Sequence, residues 1–145
     1  MTTAAFFIPG LPAPKGSTRA FLNRYTGRVA VVADNKKPQK AWQGGVTSLA
    51  RLYVRKPCLT GPVWLDLTFV LPRPKSLPKR VSYHLKKPDV DKLARCVLDG
   101  LTGVVYRDDS QVVTVSAHKR YQKAGEQTGC IVGVQSDEEK TPGVV

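Results

Sequence analysis

The chain is short of acids. Against 23 lysines and arginines stand only 11 aspartates and glutamates, a net charge of +12 at neutral pH over 145 residues. Cysteine is scarce as well. Cys58, Cys96 and Cys130 are odd in number, far apart and outside any C-x-x-C pair. That pattern supports neither a disulfide framework nor a cysteine-built zinc site. The two histidines, His84 and His118, have no serine or cysteine at a spacing that suggests a nucleophile and its base. Neither G-x-x-x-x-G-K-[ST] nor G-x-G-x-x-G occurs, so the common nucleotide-binding loops are unsupported. No apolar run reaches the roughly 18–20 residues that span a bilayer. The apolar patch near the N-terminus has no basic residue ahead of it, unlike a secretory leader. What remains is one domain with a modest core, expected in a reducing cytoplasm without a membrane segment.

Few acids make their placement informative. Three of the eleven, Asp137, Glu138 and Glu139, sit in a polar tail, so that 1–136 reads as the folded domain and 137–145 as a disordered acidic tail. Of the other eight, five fall between positions 89 and 109: Asp89, Asp91, Asp99, Asp108 and Asp109. The rest of the surface is nearly all positive, and such a field attracts polyanions, nucleic acid first. The stretch LPRPKSLPKRVSYHLKKP, residues 71–88, holds six cations and no acid. Its four prolines predict an exposed, extended loop.

The pattern of elements predicts an α/β fold. AAFFIPG reads as a first strand stopped by Pro9-Gly10. Residues 18–22 and 28–32 read as a hairpin. Asp34 or Asn35 can cap a helix over about 38–54, with Ala41, Trp42, Val46, Leu49, Ala50 and Tyr53 on one face. VWLDLTFV, 63–70, reads as a central strand covered on both sides. Val90, Leu93, Ala94, Val97, Leu98 and Leu101 keep a helical period, with Asp89 as N-cap and Gly103 as terminator. Strands at 111–119 and 130–134 follow. The sum is a single-domain two-layer sandwich, a mixed β-sheet with two helices on one face.

Asp89 and Asp91 flank the start of the second helix, while Asp108 and Asp109 precede the next strand. If residues 102–109 returned alongside the helix start, three or four carboxylates would converge. Their mutual repulsion would be relieved by a hard divalent cation, and Mg²⁺ prefers a few carboxylates plus water and phosphate oxygens. Such a site suits phosphodiester hydrolysis. Each acid also has a plain structural reading: Asp89 as a cap, Asp91 favoured by the helix dipole, Asp108-Asp109-Ser110 as a turn, and Asp99 paired with Arg95. The residues alone leave both readings open.

Lys-Pro-Asp89-Val-Asp91-Lys-Leu, then Val97-Leu-Asp99-Gly-Leu, then Tyr106-Arg-Asp108-Asp109-Ser-Gln, resembles the RusA family of Holliday junction resolvases, many of them carried by phages and prophages. The resemblance implies a RusA-like fold and a Mg²⁺-dependent homodimer, with Mn²⁺ as a substitute. It implies paired symmetric nicks in four-way DNA junctions, in recombination, repair or phage DNA processing, within a bacterial or phage-infected cell. By the same resemblance, Asp89, Asp91 and Asp109 are the catalytic metal ligands, and Asp99 and Asp108 are supporting acids. Arg95 stands where the family often has lysine, and Lys92 directly follows Asp91. Arginine keeps the charge and grips phosphate but cannot transfer a proton. Lys15, Arg19, Lys79, Arg80, Lys86 and Lys87 are the candidate DNA contacts. The alternatives are a non-catalytic basic DNA-binding module and a metal-dependent nuclease acting on other branched or single-stranded DNA.

Overall fold

The computed structural model describes residues 2–138 apart from 17, 23, 34, 35 and 55–57, and for 2, 18–21 and 30–33 the backbone alone. The candidate cap Asp34 or Asn35 and the segment 139–145 lie outside the described residues. Among the described residues six strands and two α-helices follow one another as β1 (Thr2–Pro9), β2 (Thr18–Leu22), β3 (Val29–Ala33), α1 (Lys36–Tyr53), β4 (Val63–Leu71), α2 (Val90–Leu101), β5 (Val112–Tyr121) and β6 (Gly129–Ser136). The order matches the sequence expectation, with bounds moved by one or two residues. β1, β6, β4 and β5 form one sheet in that spatial order, and β2 and β3 pair as a separate hairpin. Within the sheet β4 and β5 are parallel, while β6 is antiparallel to both β1 and β4. The chain is thus a small α/β domain with a mixed sheet, as predicted.

Alternation along β4 explains the layering. Val63, Leu65, Leu67, Phe69 and Leu71 are buried beneath the helices. The opposite face carries Trp64 and Thr68, half-buried, with Val70 fully buried, so this central strand is covered in part on both sides. From α1 come Trp42, Val46 and Ala50, spaced by one helical turn, whereas Ala41 of the predicted face is exposed. Tyr53 is half out of the core yet stacks on Phe6 of β1, ring centroids 5.4 Å apart. From α2 come Leu93, Ala94, Val97 and Leu101 together with Cys96 and Gly100. Truncating a buried leucine such as Leu93 to alanine would cost about 2–5 kcal/mol.

The two helices touch where α2 has no side chain. A Cβ built on Gly100 would lie 2.8 Å from Val46 Cγ1 and 3.2 Å from the Gln43 carbonyl oxygen. Thr47 seals this crossing by donating from Oγ1 to the Gly100 carbonyl at 2.8 Å. Gly100→Ala is therefore expected to destabilise the fold by about 1–3 kcal/mol through overpacking. Val46→Ala in the same chain should recover part of that loss, and urea denaturation of both variants measures it. α2 then stops at Gly103, whose φ of +84° is the left-handed conformation that ends a helix.

Candidate active site

Two candidate carboxylates stand at the start of α2. Asp89 occupies the N-cap position in an extended conformation, but its side chain makes no capping hydrogen bond. Its carboxylate is exposed and lies 3.4 Å from Lys92 Nζ. Asp89 is thus the N-cap residue the sequence predicts, but its carboxylate makes no cap bond and stays available for other work. Asp91 follows in the first turn, also exposed.

The chain just before Asp89 is held from the sheet. Lys119 Nζ donates to the carbonyls of Lys86 at 2.6 Å and Pro88 at 3.1 Å. Sequence reasoning missed this lysine. Its signal is faint: a cation in register with Phe69, on the strand face where Ala117 and Tyr121 flank it.

The second pair of acids divides its labour. Asp108 caps the 3₁₀ turn Asp109–Gln111, its Oδ1 accepting from the Ser110 amide at 3.0 Å. Gln111 answers by accepting from the Asp108 amide and donating from Nε2 to the Leu59 and Gly61 carbonyls at 2.8 and 3.1 Å. The D-x-x-Q spacing is the sequence mark of this reciprocal cap. Asp109 has no such duty. It is exposed, and its pKa is raised by the hydrogen bond it shares with Asp108, by desolvation and by the negative charges of Asp108 and Asp99. Asp108 is lowered by the Ser110 amide and by its bond to Asp109.

Asp99 is not paired with Arg95 as the helix spacing predicted. Its Oδ2 is 2.5 Å from Lys15 Nζ, a partner 84 positions earlier. The Lys15 amide also donates to the Lys92 carbonyl at 3.0 Å, so the segment 11–16 lies along α2. Tertiary packing brings a cation that sequence spacing could not show. Arg95 is exposed and, among the described residues, makes no ion pair.

The topology decides which acids meet. α2 carries the chain from the end of β4 back to the start of β5, and these strands are parallel, so the helix runs opposite to both. Lys119 holds Pro88 from high on β5, whereas Asp109 lies just before Val112 at its foot. Seven strand residues separate those levels, about 23 Å at roughly 3.3 Å each. The expected return of residues 102–109 to the helix start does not occur within one chain. Among the described residues, no three His, Cys, Asp or Glu side chains are grouped to hold a metal ion.

The basic loop after β4 is exposed as predicted, but it is folded rather than extended. Arg73 donates to the Val81 and Pro78 carbonyls, each at 2.8 Å, and lies over the Tyr121 ring. Lys79, Arg80, Lys86 and Lys87 remain exposed around it. Lys79 shares an open hollow with Lys75 and Lys123, two cations that the sequence reading did not single out. Large apolar surface also shows here, with Tyr83 and Leu85 at 78% and 87% exposure. Arg19 belongs to β2, and its side chain lies outside the described residues.

One grouping imitates a hydrolase triad and is not one. On the sheet face away from the helices Ser116 Oγ lies 3.1 Å from His118 Nε2, and Asp66 Oδ1 lies 3.9 Å from the same nitrogen. A relay needs serine and aspartate on opposite ring nitrogens.

Comparison with known proteins adds the family. The model of the family described as Endodeoxyribonuclease RusA matches residues 11–131. A protein of Bacillus subtilis (strain 168), "Uncharacterized protein YqaN", is 29% identical over 133 residues, covering 85% of this chain and 91% of its own. These findings define the class as enzymes that cut DNA within the strand. The chain belongs to the RusA family of endodeoxyribonucleases.

Proposed function

We propose that the protein is a Mg²⁺-dependent endonuclease that resolves four-way DNA junctions by paired symmetric nicks, acting as a homodimer in the cytoplasm. One observation carries this reading. Asp89, Asp91 and Asp109 are exposed carboxylates, and the Asp89 side chain makes no capping hydrogen bond, while Asp108 and Gln111 form the reciprocal cap of the turn beside Asp109.

Separation of the acids within one chain supports the dimer. Asp89 and Asp91 lie at one end of α2, and Asp109 lies beyond the other. A two-fold axis that sets two copies of α2 antiparallel brings each end against its opposite, and it does so twice. Asp89 and Asp91 of one copy, with Asp109 of the other, would hold the Mg²⁺. A bound ion there supplies an activated water and Lewis-acid help at phosphorus.

The chain's own residues position the DNA. Arg95 lies one helical turn after Asp91, where its guanidinium can grip a phosphate oxygen in the two-pronged manner lysine cannot match. Lys15 neutralises Asp99 and keeps that charge from repelling the backbone. Lys79, Arg80, Lys86 and Lys87 contact flanking phosphates. Neutralising these four is expected to weaken junction binding and flatten the slope of log K against log salt by up to about 0.9 per lost contact. An unchanged slope would make them a solvated surface only.

The function itself is tested on a synthetic four-way junction and a matched duplex, each with Mg²⁺ or EDTA. Symmetric junction cleavage in Mg²⁺, with an intact duplex, is the expected result. Binding without cleavage would favour a DNA-binding module. Equal cleavage of flaps, forks or single strands would favour a nuclease of broader choice.

A further inference from the structure

A recess opens beside Asp89, at the start of α2. It is a cavity of about 490 Å³, within the roughly 300–1,000 Å³ typical of small-ligand sites. Five prolines contribute to its lining, together with Leu11, Leu71 and the imidazole of His84. Proline offers flat apolar surface and no amide donor, so this wall favours a planar, weakly hydrated group over an ion. The His84 ring packs against Tyr121 with centroids 4.7 Å apart, which fixes it as a second flat surface.

Charge surrounds this apolar wall. Lys15, Lys87 and Lys92 also line the cavity, and the one acid among the lining residues is Asp89. The recess is built before any ligand arrives. The Lys15 amide is tied to α2, and the Gly16 amide donates to Gln39 Oε1 of α1 at 2.9 Å. Lys119 clamps the opposite rim at Lys86 and Pro88. Flat apolar walls rimmed by ammonium groups match a nucleotide, with its base inside and its phosphate outside.

We propose that this cavity receives one unpaired nucleobase of the DNA, from the nucleotide adjoining the phosphate that Asp89 helps to cut. The proposal rests on the nuclease reading above and deepens it. The enzyme thereby reads an extruded base at the branch, where continuous stacking is interrupted and extrusion costs less than inside a duplex. A continuous duplex holds every base stacked on both sides, so extrusion there costs more and the pocket contributes to the choice of branched DNA.

The test uses junctions carrying 2-aminopurine at each nucleotide flanking the crossover in turn, titrated with protein in EDTA. At one position the emission should rise severalfold as the base leaves its stack. An abasic residue there should weaken binding about tenfold, in the range of one lost base–side-chain stack. Leu11→Trp, which places a larger group on an exposed wall residue, should abolish the emission change and bind native and abasic junctions alike. His84→Ala should reduce both effects, with circular dichroism unchanged. Emission that stays flat at every position while the junction is bound and cut overturns the pocket and leaves the nuclease reading standing. So does a rise that Leu11→Trp leaves intact. Failure to bind the junction at all removes the nuclease reading and the pocket with it.

Discussion

Asp89→Asn, Asp91→Asn and Asp109→Asn should each lower Mg²⁺-dependent junction cleavage by about a thousandfold, roughly 4 kcal/mol in activation free energy. The fold should not notice. Asparagine caps a helix about as well as aspartate, and the Asp89 side chain makes no cap bond to lose. All three side chains are exposed, so no buried partner is stranded. What each change removes is one negative charge from the set proposed to hold a divalent ion. Junction binding in EDTA should persist or tighten, because a carboxylate that repelled phosphate has gone. Asp99→Asn should be milder for cleavage, since its work is to hold Lys15. Single-turnover cleavage, a binding titration and circular dichroism together separate these effects. Full cleavage by one of the three variants would strike that residue from the site.

Much of the fold could be read from the residues because its signals are local. The 3.6-residue period of Leu93, Ala94, Val97 and Leu101, with Gly103 as a stop, is α2 almost to the residue. The alternation of Val63, Leu65, Leu67 and Phe69 is β4. The positions of the acids followed from the same patterns. Their grouping did not, because it depends on strand direction. β4 and β5 are parallel, which sends Asp109 to the far end of α2, and no short stretch of sequence encodes that choice. Contacts made across the chain were likewise invisible. Lys15 outcompetes Arg95 for Asp99 from 84 positions away, and Lys119 reaches the carbonyls of Lys86 and Pro88 from another strand. The loop of residues 71–88 looked extended because proline spacing reports backbone preference, whereas its folding is organised by one guanidinium, that of Arg73.

The central claim is that carboxylates from the two ends of α2 form one nuclease site between two copies of the chain. Heterodimers of an Asp91→Asn chain and an Asp109→Asn chain, isolated through two different affinity tags, test it directly. Each homodimer should be inactive. In the heterodimer, one site carries both losses and the other carries neither. A junction should then be nicked at about half the wild-type rate per dimer, as one of two symmetric sites is restored. The product should be a singly nicked junction rather than two resolved duplexes. A heterodimer as inactive as either parent would contradict the account, because it would place Asp91 and Asp109 in the same site of the same chain.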